Sequence, residues 1–354
     1  MFFIGWTNRA GRTDVGAVRS SALLKQLAEK NIYPEVIDIW KKGNRISQIK
    51  WVFSVLIKML TSSSQIIYVS CNPYNHLLVV LLGVILGRHK LIVDFRDAYS
   101  IDIRERNYPG NYMLARITEK LVYKFCTRFV LVTPGVQKRY ANIFGNADKL
   151  MVIPNGHELN REFLGQLSRR QVNNNLIKVV YPGIYSSYFS TNQAKRYIDI
   201  LKRKLNKTGK EYEIIFIGTD IGTKKLLRDE EYVKFIPDTA DSKRLPYEKT
   251  IEILNNADLV FMPIDNDYGC ATKIYDYLAL GLPIFNFIDE NNWLHEVIGD
   301  RIVDSCENLP RFELDFAGKY HRDTQMKKLA DYIYDEVVKQ HDPALVMKNK
   351  NSHL

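Results

Sequence analysis

The chain predicts an α/β protein of two doubly wound parallel sheets, on three observations. Short apolar runs of strand character alternate with helical stretches from the N-terminus to about residue 153. The alternation lapses over Arg161 to Asn175, a polar stretch with no clear buried face, and restarts at Lys178. The length, 354 residues, is enough for two domains of ordinary size. The expected division is 1–165 for a first domain, 166–325 for a second, and 326–354 for a terminal helix and tail.

In the first half, Phe2 to Trp6 reads as a strand, and the loop Thr7 to Gly16 leads into a helix over Ala17 to Lys30. Tyr33–Ile39, Gln65–Ser70, Leu91–Asp94, Phe129–Thr133 and Met151–Ile153 read as further strands. Thr133-Pro-Gly-Val136 opens a helix with Pro in its first turn. In the second half, Lys178–Gly183, Tyr212–Gly218, Val233–Pro237, Asp258–Ile264, Pro283–Ile288 and Asp300–Asp304 read as strands. Between them lie helical stretches at Asn192–Leu205, Tyr247–Asn256 and Glu290–Ile298, and Lys327 to Gln340 is a long amphipathic helix. The tail Met347 to Leu354 is expected to be disordered.

Composition narrows the class. Hydrophobic residues make up 46% and charged residues 25%, as in soluble globular proteins. Cys71, Cys126, Cys270 and Cys306 show no CxxC spacing, which argues against a disulfide framework or zinc site and fits a reducing cytosol. No signal peptide is evident, and the longest apolar run, Leu77 to Gly87, is too short to span a bilayer. A formal net charge of +10 calls for an anionic partner. No nucleic-acid module is present: there is no zinc-finger spacing, RNP-like motif or Lys/Arg block. A basic stretch from Lys41 runs into the Trp- and Phe-bearing helix 51–60; its apolar side reads as packed on the sheet, and its basic rim either as solvated lysines or as the contact of an interfacial helix with an anionic membrane.

In a parallel sheet, ligands sit beyond the carboxyl ends of the strands. Three segments fall there. The loop 7–16 reads as an ordinary connection or as a ligand loop in which Gly11 and Gly16 would let backbone approach and Arg9 and Arg12 would meet an anion; it is no GxGxxG fingerprint, and Asp38 does not make it one. Asp94-Phe-Arg96-Asp97 ends a strand with more charge than a solvated loop needs, or with a local Asp94–Arg96 or Arg96–Asp97 ion pair. The third, Gly269 to Phe285, is a short helix between two buried strands, with Thr272 as its expected N-cap, Gly281 at its end and Pro283 after it. Lys273 would add a cation to the positive end of that helix, which favours an anion such as phosphate. Asp276 lies one turn further on.

Thr272-Lys-Ile-Tyr-Asp-Tyr-Leu-Ala-Leu-Gly-Leu-Pro283 resembles the donor-site signature of retaining glycosyltransferases of the GT-B type, the large group 1 or GT4-like family. Val152-Ile-Pro-Asn-Gly-His-Glu158, Asn72-Pro73 and Asp94–Asp97 are similar to further segments of that family, in the same order along nearly the whole chain. The resemblance implies a GT-B fold: two Rossmann-like domains facing an interdomain cleft, with the terminal helix crossing back to the first. It implies a hexosyltransferase-type enzyme moving a sugar, with retention, from a UDP- or GDP-linked donor to a saccharide or lipid-linked saccharide. Capsule, O-antigen or exopolysaccharide synthesis at the cytoplasmic face of the plasma membrane is the setting it suggests.

The resemblance further implies that Gly183, Gly218, Thr272, Lys273, Ile274 and Asp276 bind the donor, with Asp276 on the ribose in place of the more usual Glu. Lys273 and Asp97 would act in catalysis, and Gly11, Arg12, Gly16 and Arg96 would line the acceptor side. No metal and no cofactor is implied. The chain departs from the pattern after Gly183. Many members carry Arg and Lys there, whereas this chain reads Ile184 to Ser190 and has no cation before Lys195 and Arg196. The first acid of the usual pair is replaced by Tyr268, with Asp265 and Asp267 nearby. These departures motivate an alternative, a non-catalytic homologue that partners an active transferase. A sugar-nucleotide epimerase carries little weight here, because neither a dinucleotide fingerprint nor a Lys partner for Tyr188 or Tyr247 is present.

Overall fold

The computed structural model describes residues 1–7, 15–39, 45–63, 65–71, 74, 76–106, 108–167, 175–185, 189–237, 245–264, 266–269, 272–287 and 292–341. The expectations placed on Arg9, Gly11, Arg12, Lys41, Asn72, Pro73, Tyr188, Asp265, Cys270 and the tail 347–354 lie outside these residues. The chain forms two compact units, Met1–Asn155 with Arg322–Leu354, and Gly156–His321. The expected boundaries were 165 and 325. Leu159 and Leu164 pack in the second unit's core, so the segment after Asn155 goes with that unit.

The first unit holds a parallel sheet of β1 (Phe2–Gly5), β2 (Glu35–Asp38), β3 (Ile66–Cys71), β4 (Lys90–Phe95), β5 (Arg128–Leu131) and β6 (Leu150–Val152), in the order β2-β1-β3-β4-β5-β6. Register fixes the edge: Val69 pairs with Val93 and Cys71 with Phe95, so the strands end together. Helix α1 (Val15–Ala28) and the terminal helix α13 (Arg322–His341) pack on one face, where Leu23, Leu27, Met326, Leu329 and Ile333 meet Phe3, Tyr68, Ile92 and Val130. The expected return of the terminal helix to the first unit is therefore observed.

Three more helices of this unit, α2 (Arg45–Thr61), α3 (Leu77–Leu86) and α5 (Tyr112–Phe125), form a packed layer in which α3 contacts both others. Gly83 lets α3 approach α2, since a Cβ there would lie 2.7 Å from the Met59 sulfur. Short α4 (Tyr99–Glu105) precedes α5, and α6 (Pro134–Phe144) has the expected Pro start, capped by the Thr133 hydroxyl accepting from Val136 N at 3.1 Å.

The second unit repeats the plan with β7 (Leu176–Pro182), β8 (Glu211–Ile217), β9 (Val233–Ile236), β10 (Leu259–Phe261), β11 (Ile284–Phe285) and β12 (Ile302–Val303), all parallel, in the order β12-β11-β10-β7-β8-β9. Alternation along β7 assigns its two faces. Val179 and Tyr181 pack with α8 (Thr191–Asn206), and Val180 packs with α10 (Tyr247–Asn255), α11 (Lys273–Ala279) and α12 (Leu294–Ile298). Two elements differ from expectation. Residues 161–166, read as linker, form α7 (Arg161–Gln166), capped by Asn160 and anchored by Leu164 at 1% exposure. The loop after Gly218 turns into α9 (Ile221–Leu227), because the Asp220 carboxylate accepts from Thr223 N and Oγ1.

Candidate functional site

The strand order of the second unit reverses between β7 and β10, and a crevice opens beyond the carboxyl ends at such a point. β7 ends at Pro182 and is followed by Gly183 at φ +88°. Gly183 N donates to Ile217 O at 2.7 Å, and a Cβ built at Gly183 meets nothing within 4 Å among the described residues, so these leave the backbone open. Gly218, at φ +57°, ends β8 in the same way and donates to Ile236 O at 2.8 Å. The segment after Gly183 is tied down: Tyr185 N donates to Asp220, and Tyr185 Oη donates to Ala194 O.

Lys273 enters from the first residue of α11. Its ammonium donates to Pro182 O at 2.8 Å and lies 3.5 Å from the centroid of the Tyr181 ring. A carbonyl and a ring face hold the cation over the switch point, in a half-buried setting where its charge is screened less than in water. Gly183, Gly218 and Lys273, expected on the donor side, thus share one sheet edge.

The other donor-side residues divide. Thr272 has helical backbone angles and its hydroxyl caps nothing, so the expected N-cap is not formed. Ile274 is fully buried in the core, and only its backbone is left to meet a ligand. Asp276 Oδ1 accepts from Tyr247 Oη at 2.6 Å. Burial, then the Asp276 charge, raises the Tyr247 phenol above its ordinary range, so it stays protonated and donates. Tyr247 orients the carboxylate from α10, 29 positions away in sequence. No spacing rule links the two. Tyr268 is 1% exposed and belongs to the packing, whereas Asp267 is exposed.

Neither expected local ion pair forms at the carboxyl edge of the first unit. Asp94 is fully buried and takes a fork from Arg19, Nε at 2.8 Å and Nη2 at 3.2 Å, together with Tyr68 Oη at 2.6 Å. Arg19 also donates to Pro154 O, which ties α1 and β4 to the Pro154-Asn155 turn. Arg96 points elsewhere. Its Nε donates to Cys71 O at 2.9 Å, and its guanidinium lies where a Gly16 side chain would be, 1.6 Å from an ideal Cβ. Gly16 and Arg96 are therefore brought together as expected. Asp97 is exposed beside them, and its carbonyl accepts from Tyr74 Oη at 2.8 Å. Asp94 belongs to the framework of this edge and Asp97 to its surface. The Trp51 indole donates to Asp38 O at 2.9 Å and anchors α2 to β2.

No group of His, Cys, Asp or Glu among the described residues could hold a metal ion. Cys71, Cys126 and Cys306 are buried free thiols, and burial raises Cys126 and Cys306 to about 12, which makes them inert.

No protein-family model and no curated protein matches the chain. Solved structures do match in fold. HepE of Anabaena, crystallised with UDP and glucose, is 14% identical, with a TM-score of 0.52 over 96% of this chain and 98% of its own. UDP-GlcNAc 2-epimerase from Methanocaldococcus jannaschii is 13% identical, with a TM-score of 0.55 over 94% and 98%. The lipopolysaccharide outer core galactosyltransferase WaaB, in its apo form, is 10% identical, with a TM-score of 0.55 over 94% and 98%. The chain has the fold these proteins share, two Rossmann-like units of the GT-B type. The comparison corrects one expectation: a sugar-nucleotide epimerase can be built on this fold, so the missing dinucleotide fingerprint does not argue against that activity.

Proposed function

We propose that the chain is a glycosyltransferase that moves a sugar from a nucleotide-diphospho-sugar, UDP- or GDP-linked, to a saccharide or lipid-linked saccharide, with retention and without a metal. The observation that carries the reading is the edge formed by Gly183, Gly218 and Lys273, a fixed cation beside open backbone at a topological switch point. Solved neighbours of this fold hold UDP and UDP-glucose, which supports a nucleoside diphosphate as the anion at that edge.

The chemistry follows from charge. As the bond from sugar to diphosphate breaks, negative charge builds on the leaving phosphate, and a cation already in place stabilises it without reorganisation. Lys273 supplies that cation, and Asp276, held by Tyr247, takes the ribose hydroxyls. A donor phosphate oxygen takes the acceptor proton, so no protein nucleophile is needed. Gly16, Arg96 and Asp97, gathered at the carboxyl edge of the first unit, orient the acceptor.

The lipid-linked acceptor and peripheral membrane contact are part of the same reading. Leu78, Leu82, Ile85 and Leu86 on α3 are exposed, as are five large apolar residues on α2 and five on α5. The one acid of the three helices, Glu119, is fully buried, whereas Lys50, Lys58, Arg88, Lys120 and Lys124 are exposed within and beside them. Lys58 is paired with Glu35 of β2, and the other four cations leave a net positive charge around an apolar layer, which complements an anionic bilayer. No helix among the described residues is long and apolar enough to cross a membrane.

A second reading, sugar-nucleotide epimerisation, is favoured by the epimerase structures of this fold. A third, a non-catalytic partner, is favoured by the cations nearest after Gly183, since Lys195 and Arg196 are exposed on α8. Product analysis with UDP- and GDP-sugars and a lipid-phosphate acceptor separates the three. Release of free nucleotide coupled to a glycosylated acceptor is expected. Conversion of the donor into an isomeric nucleotide-sugar without acceptor would establish the epimerase, and binding without either product the partner.

A further inference from the structure

A cavity of about 220 Å³ opens in the first unit between α4, α5 and α6, and three guanidinium groups line it, Arg104, Arg116 and Arg139. Its one acidic lining residue is Glu105, whose carboxylate lies 3.5 Å from Arg139. Arg104 leans on Tyr112, 3.5 Å from its hydroxyl.

Arg116 is the telling group. Its Nη1 is buried and has no hydrogen-bond partner. The nearest carboxylate, Glu119, stands 4.0 Å away, beyond hydrogen-bond reach. Glu119 is already satisfied: one oxygen accepts from Ser100 N and Tyr140 Oη, the other from Ser100 Oγ. Burial raises its carboxyl above the ordinary range, with these hydrogen bonds and Arg116 opposing the rise. Three cations thus face one lining anion, and a buried N–H lacks an acceptor, a costly arrangement unless an anion completes it.

We infer that this cavity is a binding site for a phosphate group. A carboxylate offers two oxygens in one plane, whereas a phosphate offers three in three directions, which suits guanidinium groups arriving from three helices. The proposal stands apart from the function proposed above, because it shares no residue with the Lys273 edge. The phosphate can come from a soluble anion or from a lipid head group, since the exposed apolar stripe of α5, from Met113 to Phe125, begins beside Tyr112.

The test is binding of inorganic phosphate and pyrophosphate to the full chain by calorimetry, at ionic strength held constant with sodium chloride. A parallel arm uses vesicles of phosphatidylcholine doped with phosphatidic acid or, at equal surface charge, with phosphatidylglycerol. The site predicts saturable binding weakened at least tenfold in Arg116→Gln and in Arg104→Gln and unchanged in Lys210→Gln, an exposed cation in the turn before β8. Loss in the soluble arm assigns the site to a free phosphate compound. Loss confined to the phosphatidic acid vesicles assigns it to a head group. Arg104 is exposed, so its variant tests the site even if Arg116→Gln fails to fold. Binding that is absent from both arms, or equal in wild type and Arg104→Gln, overturns the proposal, as does loss in Lys210→Gln alone.

Discussion

Gly183 shows how a single residue can serve shape and chemistry at once. A left-handed φ of +88° lets the chain turn at the end of β7, and no described residue lies in the direction its side chain would take. Gly209, at φ +65°, is likewise open among the described residues, but in the turn before β8, at the opposite end of that strand. Alanine at either position costs roughly 1–2 kcal/mol for the left-handed backbone. Both variants should therefore melt at similarly lowered temperatures, while Gly183→Ala alone weakens nucleotide binding, because its methyl projects where the ligand is placed. Equal binding by the two variants would remove Gly183 from the site. Lys273 is the complementary case, a side chain whose position is set by two neighbours on one strand, the Tyr181 ring and the Pro182 carbonyl.

At the scale of elements, helix α3 starts at a buried polar residue with a measurable consequence. His76 precedes its first turn, is fully buried, meets the Trp51 ring of α2 edge-on at 6.2 Å, and has no hydrogen bond at either ring nitrogen. Burial lowers its pKa to about 4. Between pH 4 and the ordinary value of about 6.5 the unfolded chain binds the extra proton, so stability is complete above that window and falls as pH drops through it. The contribution is on the order of 3 kcal/mol. Urea midpoints of His76→Leu should show a flatter decline from pH 6.5 to 4 than those of wild type. A parallel decline would exclude His76 as the source. The strands and most helices were legible in the sequence, because short continuous apolar runs and Gly or Pro punctuation are local signals. The partners were not legible: Arg19 finds Asp94 at a separation of 75 residues, and Tyr247 finds Asp276 from another helix. Helix α7 was missed because one buried residue, Leu164, anchors it within a polar stretch.

Across the whole molecule, charge and apolar surface are distributed unevenly. Helices of a doubly wound fold ordinarily bury one face and solvate the other. In α2, the outward side instead carries Ile46, Ile49, Phe53, Ile57 and Leu60, each about half exposed or more. Phe53→Glu combined with Ile57→Glu should abolish binding to vesicles containing phosphatidylglycerol and leave the melting temperature within a few degrees of wild type, since both side chains are exposed. A variant that still binds such vesicles would show that the apolar layer is not the membrane contact.

In the second unit, the proposed function requires that a nucleoside diphosphate bind at the carboxyl edge around Lys273. A thermal-shift comparison of wild type and Lys273→Ala against UDP, GDP, ADP, CMP and NAD tests it most directly, because a ligand of the folded state raises the melting temperature by mass action. A rise with UDP or GDP that disappears in Lys273→Ala is the predicted result. A rise that survives the substitution, or one produced by NAD alone, would contradict it.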